Sequence, residues 1–218
     1  MWSLADAIEE ITEVSDIDGE AEDDYSGSSV SLSGDGFIVA IGANFNDGNG
    51  ENSGHVRIYQ WNETQWIQRG SDIDGEAADD MSGRSISLSS DGTILAIGAI
   101  RNNGNGNNAG HVRIYKNISD VWTKLCTCGP DGGDIDGEAA GDRSSHSISM
   151  SNDGTIVAIG APYNDGNGFD AGHVRVYEAV DLTVTLSVSN TTVVESAGTV
   201  TVTATLNTPA PSCEVTVD

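Results

Sequence analysis

The sequence is poor in positive charge. Of its 218 residues, 9 are Lys or Arg against 34 Asp or Glu, a formal net charge of −25. Such a surface repels nucleic-acid phosphates and anionic membranes. It suits divalent cations, basic partners or a saline milieu, and it also serves plain solubility. Cysteine is scarce: Cys126, Cys128 and Cys213 include no second C-x-C-type pair, so no zinc clamp can be written. No apolar run approaches the ~20 residues that cross a membrane as a helix. The opening segment, MWSLADAIEEIT, has neither a basic start nor an apolar centre and does not read as a signal peptide. Helix formers are scarce beyond it. What remains is rich in Gly, Ser, Asp and Asn, a composition for short strands joined by tight turns.

Internal repetition dominates the chain. GHVRIY occupies Gly54–Tyr59 and Gly110–Tyr115, and GHVRVY occupies Gly172–Tyr177. DIDGEA begins at Asp16, Asp72 and Asp134. The first period is 56 residues and the second 62, the extra six falling in the TKLCTCGPDGG segment. Asp16–Tyr59 and Asp72–Tyr115 are identical at 32 of 44 positions, far beyond chance.

Each copy reads as four strands. In the first copy these are Ser28–Ser33, Phe37–Ala43, Gly54–Trp61 and Gln65–Ile73, with a Gly-Asp-Gly hairpin turn at Gly34–Gly36. The second strand decides the architecture. Across Thr93–Ala99, Ile94, Ala96 and Gly98 point one way and Leu95, Ile97 and Ala99 the other, with no charge on either side. A strand apolar on both faces belongs to a sheet covered on both faces. Four-stranded units packed against sister units are propeller blades. Propellers close with about four to eight blades. Three blades are therefore expected to be part of a longer protein, or to assemble with other copies.

These residues resemble the FG-GAP repeat, the blade of integrin α-chain-like propellers, over about Asp16 to Tyr177. Gly160–Ala161–Pro162 carries the Gly-Ala-Pro element, which becomes Gly42–Ala43–Asn44 and Gly98–Ala99–Ile100 in the other copies. The Phe-Gly element lacks its Phe, reading Ser26–Gly27, Ser82–Gly83 and Ser144–Ser145. The resemblance implies a propeller in an extracellular binding or adhesion protein. The family's D-x-D-x-D-G calcium loop has no counterpart, because the corresponding span holds one acid per copy: Asp35, Asp91 and Asp153.

Calcium takes six to eight hard oxygens, and two other loops offer them. One is the D-I-D-G-E-A-x-x-D loop. It supplies Asp16, Asp18, Glu20 and Asp24, then Asp72, Asp74, Glu76 and Asp80, then Asp134, Asp136, Glu138 and Asp142. Its alternate acids resemble the first half of an EF-hand loop but lack the closing bidentate Glu. The competing reading is that these acids cap turns. The second loop, at Asn46–Gly50, Asn102–Gly106 and Asn164–Gly168, exchanges Asp47 for Asn103, so a turn role is favoured there. His55, His111 and His173 recur with Arg57, Arg113 and Arg175 on one strand face. No nucleophile accompanies them, and packing with Arg–carboxylate pairing is expected. Trp61, Trp66 and Trp122 are expected to pack on outer strands. Sequons stand at Asn62, Asn117 and Asn190.

From about Val180 the pattern changes to strict alternation: Val184, Leu186 and Val188, then Val200, Val202, Ala204 and Leu206. This resembles the opening strands of a Calx-beta domain, an Ig-like sandwich of surface proteins. The expected fold is therefore all-β: a partial β-propeller of three four-stranded blades followed by an incomplete Ig-like, Calx-beta-like segment. The expected division is a lead-in over 1–15, with a short helix, then repeats over 16–71, 72–133 and 134–179, and the Calx-beta-like segment over 180–218. The expected role is a non-enzymatic binding or adhesion module of a large secreted or membrane-associated surface protein, with calcium as the only cofactor in view. Its expected partners are a protein or glycan on the cell surface and further blades, from a longer chain or another copy, with no nucleic acid. The export signal is expected outside this segment. The rival readings are a polysaccharide lyase or hydrolase built on a propeller, and a purely structural spacer.

Overall fold

The computed structural model describes residues 15–125, 133–179, 184–188 and 202–206. The expected lead-in helix, all three cysteines and Asn190 lie outside these residues. Among the described residues there is no helix, and every named strand pairing is antiparallel.

The first sheet holds β1 (Ser29–Leu32), β2 (Ile38–Ala43), β3 (His55–Trp61), β4 (Trp66–Gln68) and β5 (Ile73–Asp74). The second holds β6 (Ser82–Leu88), β7 (Ile94–Ala99), β8 (His111–Ile118), β9 (Val121–Lys124) and β10 (Ile135–Asp136). The third holds β11 (Ser147–Met150), β12 (Ile156–Ala161) and β13 (His173–Glu178). Separately, β14 (Val184–Val188) pairs with β15 (Val202–Leu206).

The four-strand expectation needs correcting in two respects. Among the described residues the third sheet holds three strands. The single fourth strand expected at Gln65–Ile73 is two strands. Tyr59–Trp61 of β3 pairs with β4, and His55–Val56 pairs with β5. Arg69 N still donates to Ile58 O at 2.7 Å, the chain then leaves the ladder over 70–72, and the Arg69 side chain reaches toward the next sheet, where its Nε meets Asp120 at 2.9 Å. The sheets are also offset from the sequence repeat. Ile73–Asp74 and Ile135–Asp136 of the DIDGEA strings complete the preceding sheet, and the rest of each string leads into the next. That strand-long overlap ties consecutive blades together.

The turn between the first two strands of each blade is set by Ser-x-Asp-Gly. Asp91 Oδ1 accepts from the Ser89 hydroxyl at 2.6 Å and from the Thr93 amide at 3.0 Å. Gly92 then takes φ +68°, a conformation that a side chain resists. The same bonds recur at Asp35 and Asp153. Hydrogen bonds from Ser151 and Thr155 favour the ionised form of Asp153 and lower its pKa to about 2.

The core lies between blades. Leu95 and Ile97 of β7 pack with Ile38, Ala40, Val56 and Ile58 of the first sheet. On the opposite face, Ala96 packs with Val112, Ile114, Val157 and Ile159. The second strand is thus covered from both sides by sister sheets, as its two apolar faces require. Gly98 lets the blades approach, since a Cβ there would stand 2.6 Å from Ser145 Cβ in the turn that leads into the third sheet. Gly98→Ala is therefore expected to wedge the second and third blades apart at a cost of about 1–3 kcal/mol. Chemical denaturation of the purified variant reads this directly, and an unchanged midpoint would contradict the close approach.

Candidate functional site

The recurring polar residues converge on one edge of the stack, where the DIDGEA loops meet the Asn-rich loops between second and third strands. Asn46 Nδ2 donates to the buried Asp24 carboxylate at 2.9 Å, Asn102 to Asp80 at 2.9 Å, and Asn164 to Asp142 at 2.8 Å. Asn49 Nδ2 reaches forward to Gly75 O at 2.7 Å, and Asn105 Nδ2 to Gly137 O at 2.8 Å. The first two Asn-rich loops therefore hold their own acidic loop with one amide and the next acidic loop with another, and the third holds its own. The exchange of Asp47 for Asn103 is explained by the same geometry. Asp47 Oδ1 accepts from Asn52 N at 2.7 Å, and Asn103 Oδ1 accepts from Asn108 N at 2.8 Å, so a neutral amide oxygen suffices.

The third strand contributes the cations. Arg57 Nη1 lies 3.0 Å from Glu20 Oε1, and Arg57 Nη2 donates to Asp18 O at 3.1 Å. Arg113 pairs with Glu76 and holds Asp134 through Nε at 2.9 Å and Nη2 at 3.0 Å. Lys124 adds a third contact to Asp134 at 2.9 Å. Burial would raise the Asp134 pKa, but Lys124 and Arg113 outweigh it and hold the carboxyl below its ordinary range. In the third copy Arg175 Nη1 donates to Asp136 O at 2.9 Å, and Glu138 stands 3.8 Å from Arg175 Nε.

The four acids expected in each loop go to different partners. Asp24, Asp80 and Asp142 are buried against asparagines, and Glu20, Glu76 and Glu138 face the strand arginines. Asp72 accepts from Gln68 Nε2, while Asp134 serves Arg113 and Lys124. Asp16, Asp18 and Asp74 are exposed. What the structure does bring together is different: Glu20, His55 and Asp72, and again Glu76, His111 and Asp134, each set within 4.8 Å. Sequence reasoning grouped acids along one loop and missed these sets. Their histidine lies a strand away, and the second acid belongs to the following repeat. The shared strings GHVRIY and DIDGEA were the available signal. Burial keeps His111 neutral by lowering its pKa, and its Nδ1 has no hydrogen-bond partner, with Asp134 Oδ2 at 3.7 Å. The cationic position beside each set is filled by the arginine.

The other singled-out residues are structural. Trp122 Nε1 donates to Arg69 O at 3.0 Å across the first two sheets, and Trp61 and Trp66 rings lie 5.4 Å apart. The Asn62 sequon forms an exposed turn, Asn62 Oδ1 accepting from the Thr64 and Gln65 amides. Asn117 is buried, its Oδ1 accepting from Arg69 and Asp120.

No curated protein matches the chain. Among solved structures it is similar to the periplasmic gluconolactonase PpgL of Pseudomonas aeruginosa, at 16% identity and a TM-score of 0.43, covering 70% of this chain and 39% of that one. It is also similar to Kuenenia stuttgartiensis hydrazine synthase, at 11% identity and a TM-score of 0.41, covering 75% of this chain and 36% of that one. The chain thus spans under two-fifths of either structure. The expectation that it is not an enzyme is corrected by the first of these. That neighbour is a gluconolactonase, and at this identity and TM-score the likeness assigns no activity to this chain. Among the described residues no helix is long and apolar enough to cross a membrane. Residues 10–59, which contain the whole first copy from DIDGEA to GHVRIY, match the FG-GAP repeat family model.

Proposed function

We propose that this chain is a binding module of an extracellular or cell-surface protein, working in adhesion or cell contact through the acidic loop edge of its blades. The observation that carries the reading is the asparagine clamp. Loops held by their own repeat, and in the first two copies also by the following one, present exposed carboxylates along this edge: Asp47, Glu51, Asp74, Asp79, Asp165 and Asp170. Pre-organised loops lose little entropy on binding, which favours ligand recognition. The ligand is a protein or glycan that meets this edge with basic groups or through calcium. Calcium is held by the exposed loop acids at the weak, roughly 10⁻⁴–10⁻³ M affinity of extracellular modules. The paired strands β14 and β15 fit the opening of a Calx-beta-like sandwich, a companion domain in surface proteins.

The test combines a glycan array and binding to basic proteins with charge reversal of the edge. Glu51→Lys with Asp74→Lys, both exposed, should leave the fold intact and remove captured ligand. Calcium at about 1 mM, within that affinity range, should raise the unfolding temperature of the parent. Binding that ignores the double charge reversal would overturn the edge as the ligand surface, and a calcium-independent melting curve would remove the metal from the proposal.

A further inference from the structure

The two ends of the blade stack are complementary. Inside the chain the same interface is built twice. Between the first two sheets, Ser29 Oγ donates to Gly83 O at 2.6 Å, Leu88 N donates to Ser31 Oγ at 2.9 Å, and Gly34 N donates to Ser90 O at 2.8 Å. Between the second and third, Ser85 Oγ donates to Ser145 O at 2.5 Å, Met150 N to Ser87 Oγ at 3.0 Å, and Ser90 N to Asn152 O at 2.8 Å. In both, an aliphatic pair from one blade's first strand packs on the aliphatic pair from its neighbour's third strand.

Each half of that interface is also left open once. Val174 and Val176, 67% and 66% exposed, repeat the positions of the fully packed Val56 and Ile58. Val30 and Leu32, 64% and 58% exposed, repeat the positions of the buried Ile86 and Leu88. Ser147 and Ser149, the counterparts of Ser29 and Ser31, are exposed beside the first of these faces. Gly160 keeps the close-approach position clear. A Cβ on Gly42 would strike the Gly83 carbonyl of the next sheet, whereas one on Gly160 meets only Ser147 of its own sheet.

We propose that the outer face of the third blade binds the front face of the first blade in a second copy of this chain, and reciprocally, as a head-to-tail pair. The occupant is specified by the molecule's own template: the surface shaped to fit Val174, Val176 and Ser147 is the one at Val30 and Leu32. Such heterologous contacts form rings when the rotation closes. Two copies make six blades, within the four to eight over which propellers close. The like net charge of −25 opposes the approach, so screening by salt strengthens the pair.

Sedimentation or native mass measurement of the full chain across a concentration series at high salt tests this. The wild type is expected to form a dimer. Val176→Glu and Leu32→Glu, each at an exposed position, should be folded monomers by circular dichroism, and Gly160→Ala should weaken the dimer by at least tenfold in Kd. Mixing the Val176→Glu and Leu32→Glu proteins should restore dimers, because a mixed pair keeps one interface free of either substitution. A wild type that stays monomeric, a dimer that survives both glutamates, or a mixture that fails to re-associate would each overturn the pairing.

Discussion

Ile58→Ala should cost about 2–5 kcal/mol of folding stability, the range for emptying a well-packed aliphatic site, while Val176→Ala in protein diluted to the monomer should stay within about 0.5 kcal/mol. The two residues occupy one position of the repeat. Ile58 is 1% exposed and packed beneath Ile86 and Leu88 of the following blade, and Val176 is 66% exposed on the last blade. Both are β-branched aliphatics on the third strand, and the extra methylene of Ile58 is worth about 0.8 kcal/mol, so a difference beyond that measures the neighbouring sheet. Equilibrium denaturation of both variants gives the comparison. Equal losses would show that the third strand is stabilised within its own sheet, and the stack would then contribute little.

The second large effect is expected at Arg113. Arg113→Met removes the guanidinium from Glu76 and from Asp134, whose side chain is 9% exposed. Breaking a buried pair leaves an under-compensated charge and costs about 3 kcal/mol. Arg175→Met, at the same position of the third copy, should cost under about 1 kcal/mol, because Arg175 and Glu138 are 33% and 53% exposed and solvent already screens them. The Arg113 effect carries a pH signature. The Asp134 pKa is depressed in the folded protein, so its pairing stabilises the fold above the unfolded value near pH 4. The contribution fades as pH falls below that value and through the folded pKa. The stability gap between wild type and Arg113→Met should therefore be full at neutral pH and shrink in acid. A gap that persists unchanged to pH 2 would place the loss in packing of the arginine stem.

These pairs also explain which parts of the molecule were legible beforehand. The uncharged alternation of Ile94–Ala99 has one physical solution, a strand with sheets on both sides, and the packing of Leu95 one way and Ala96 the other is that solution. The Ser-x-Asp-Gly turns followed from local hydrogen-bonding chemistry, which needs only four or five adjacent residues. The fourth strand was harder. Its break before Ile73 recurs before Ile135 in the second sheet, and the contacts of Arg69 beside it, to Asp120 and Trp122 some fifty residues away, are ones no local propensity reports.

The acidic loops show the same limit in their chemistry. Asp24 and Glu20 lie four residues apart, and spacing alone made them joint ligand candidates. Packing sends one to Asn46 and the other to Arg57. Asp134 and Glu76, separated by a whole repeat, share one guanidinium instead.

The amino-acid sequence alone determined that the chain is all-β, that one unit recurs three times, and that its second strand must be covered on both faces, because periodicity and turn chemistry are local properties. Tertiary structure alone decided which carboxylate meets which cation and where the fourth strand divides. Those outcomes depend on distances between residues far apart in the chain, and such distances exist only once the sheets have stacked.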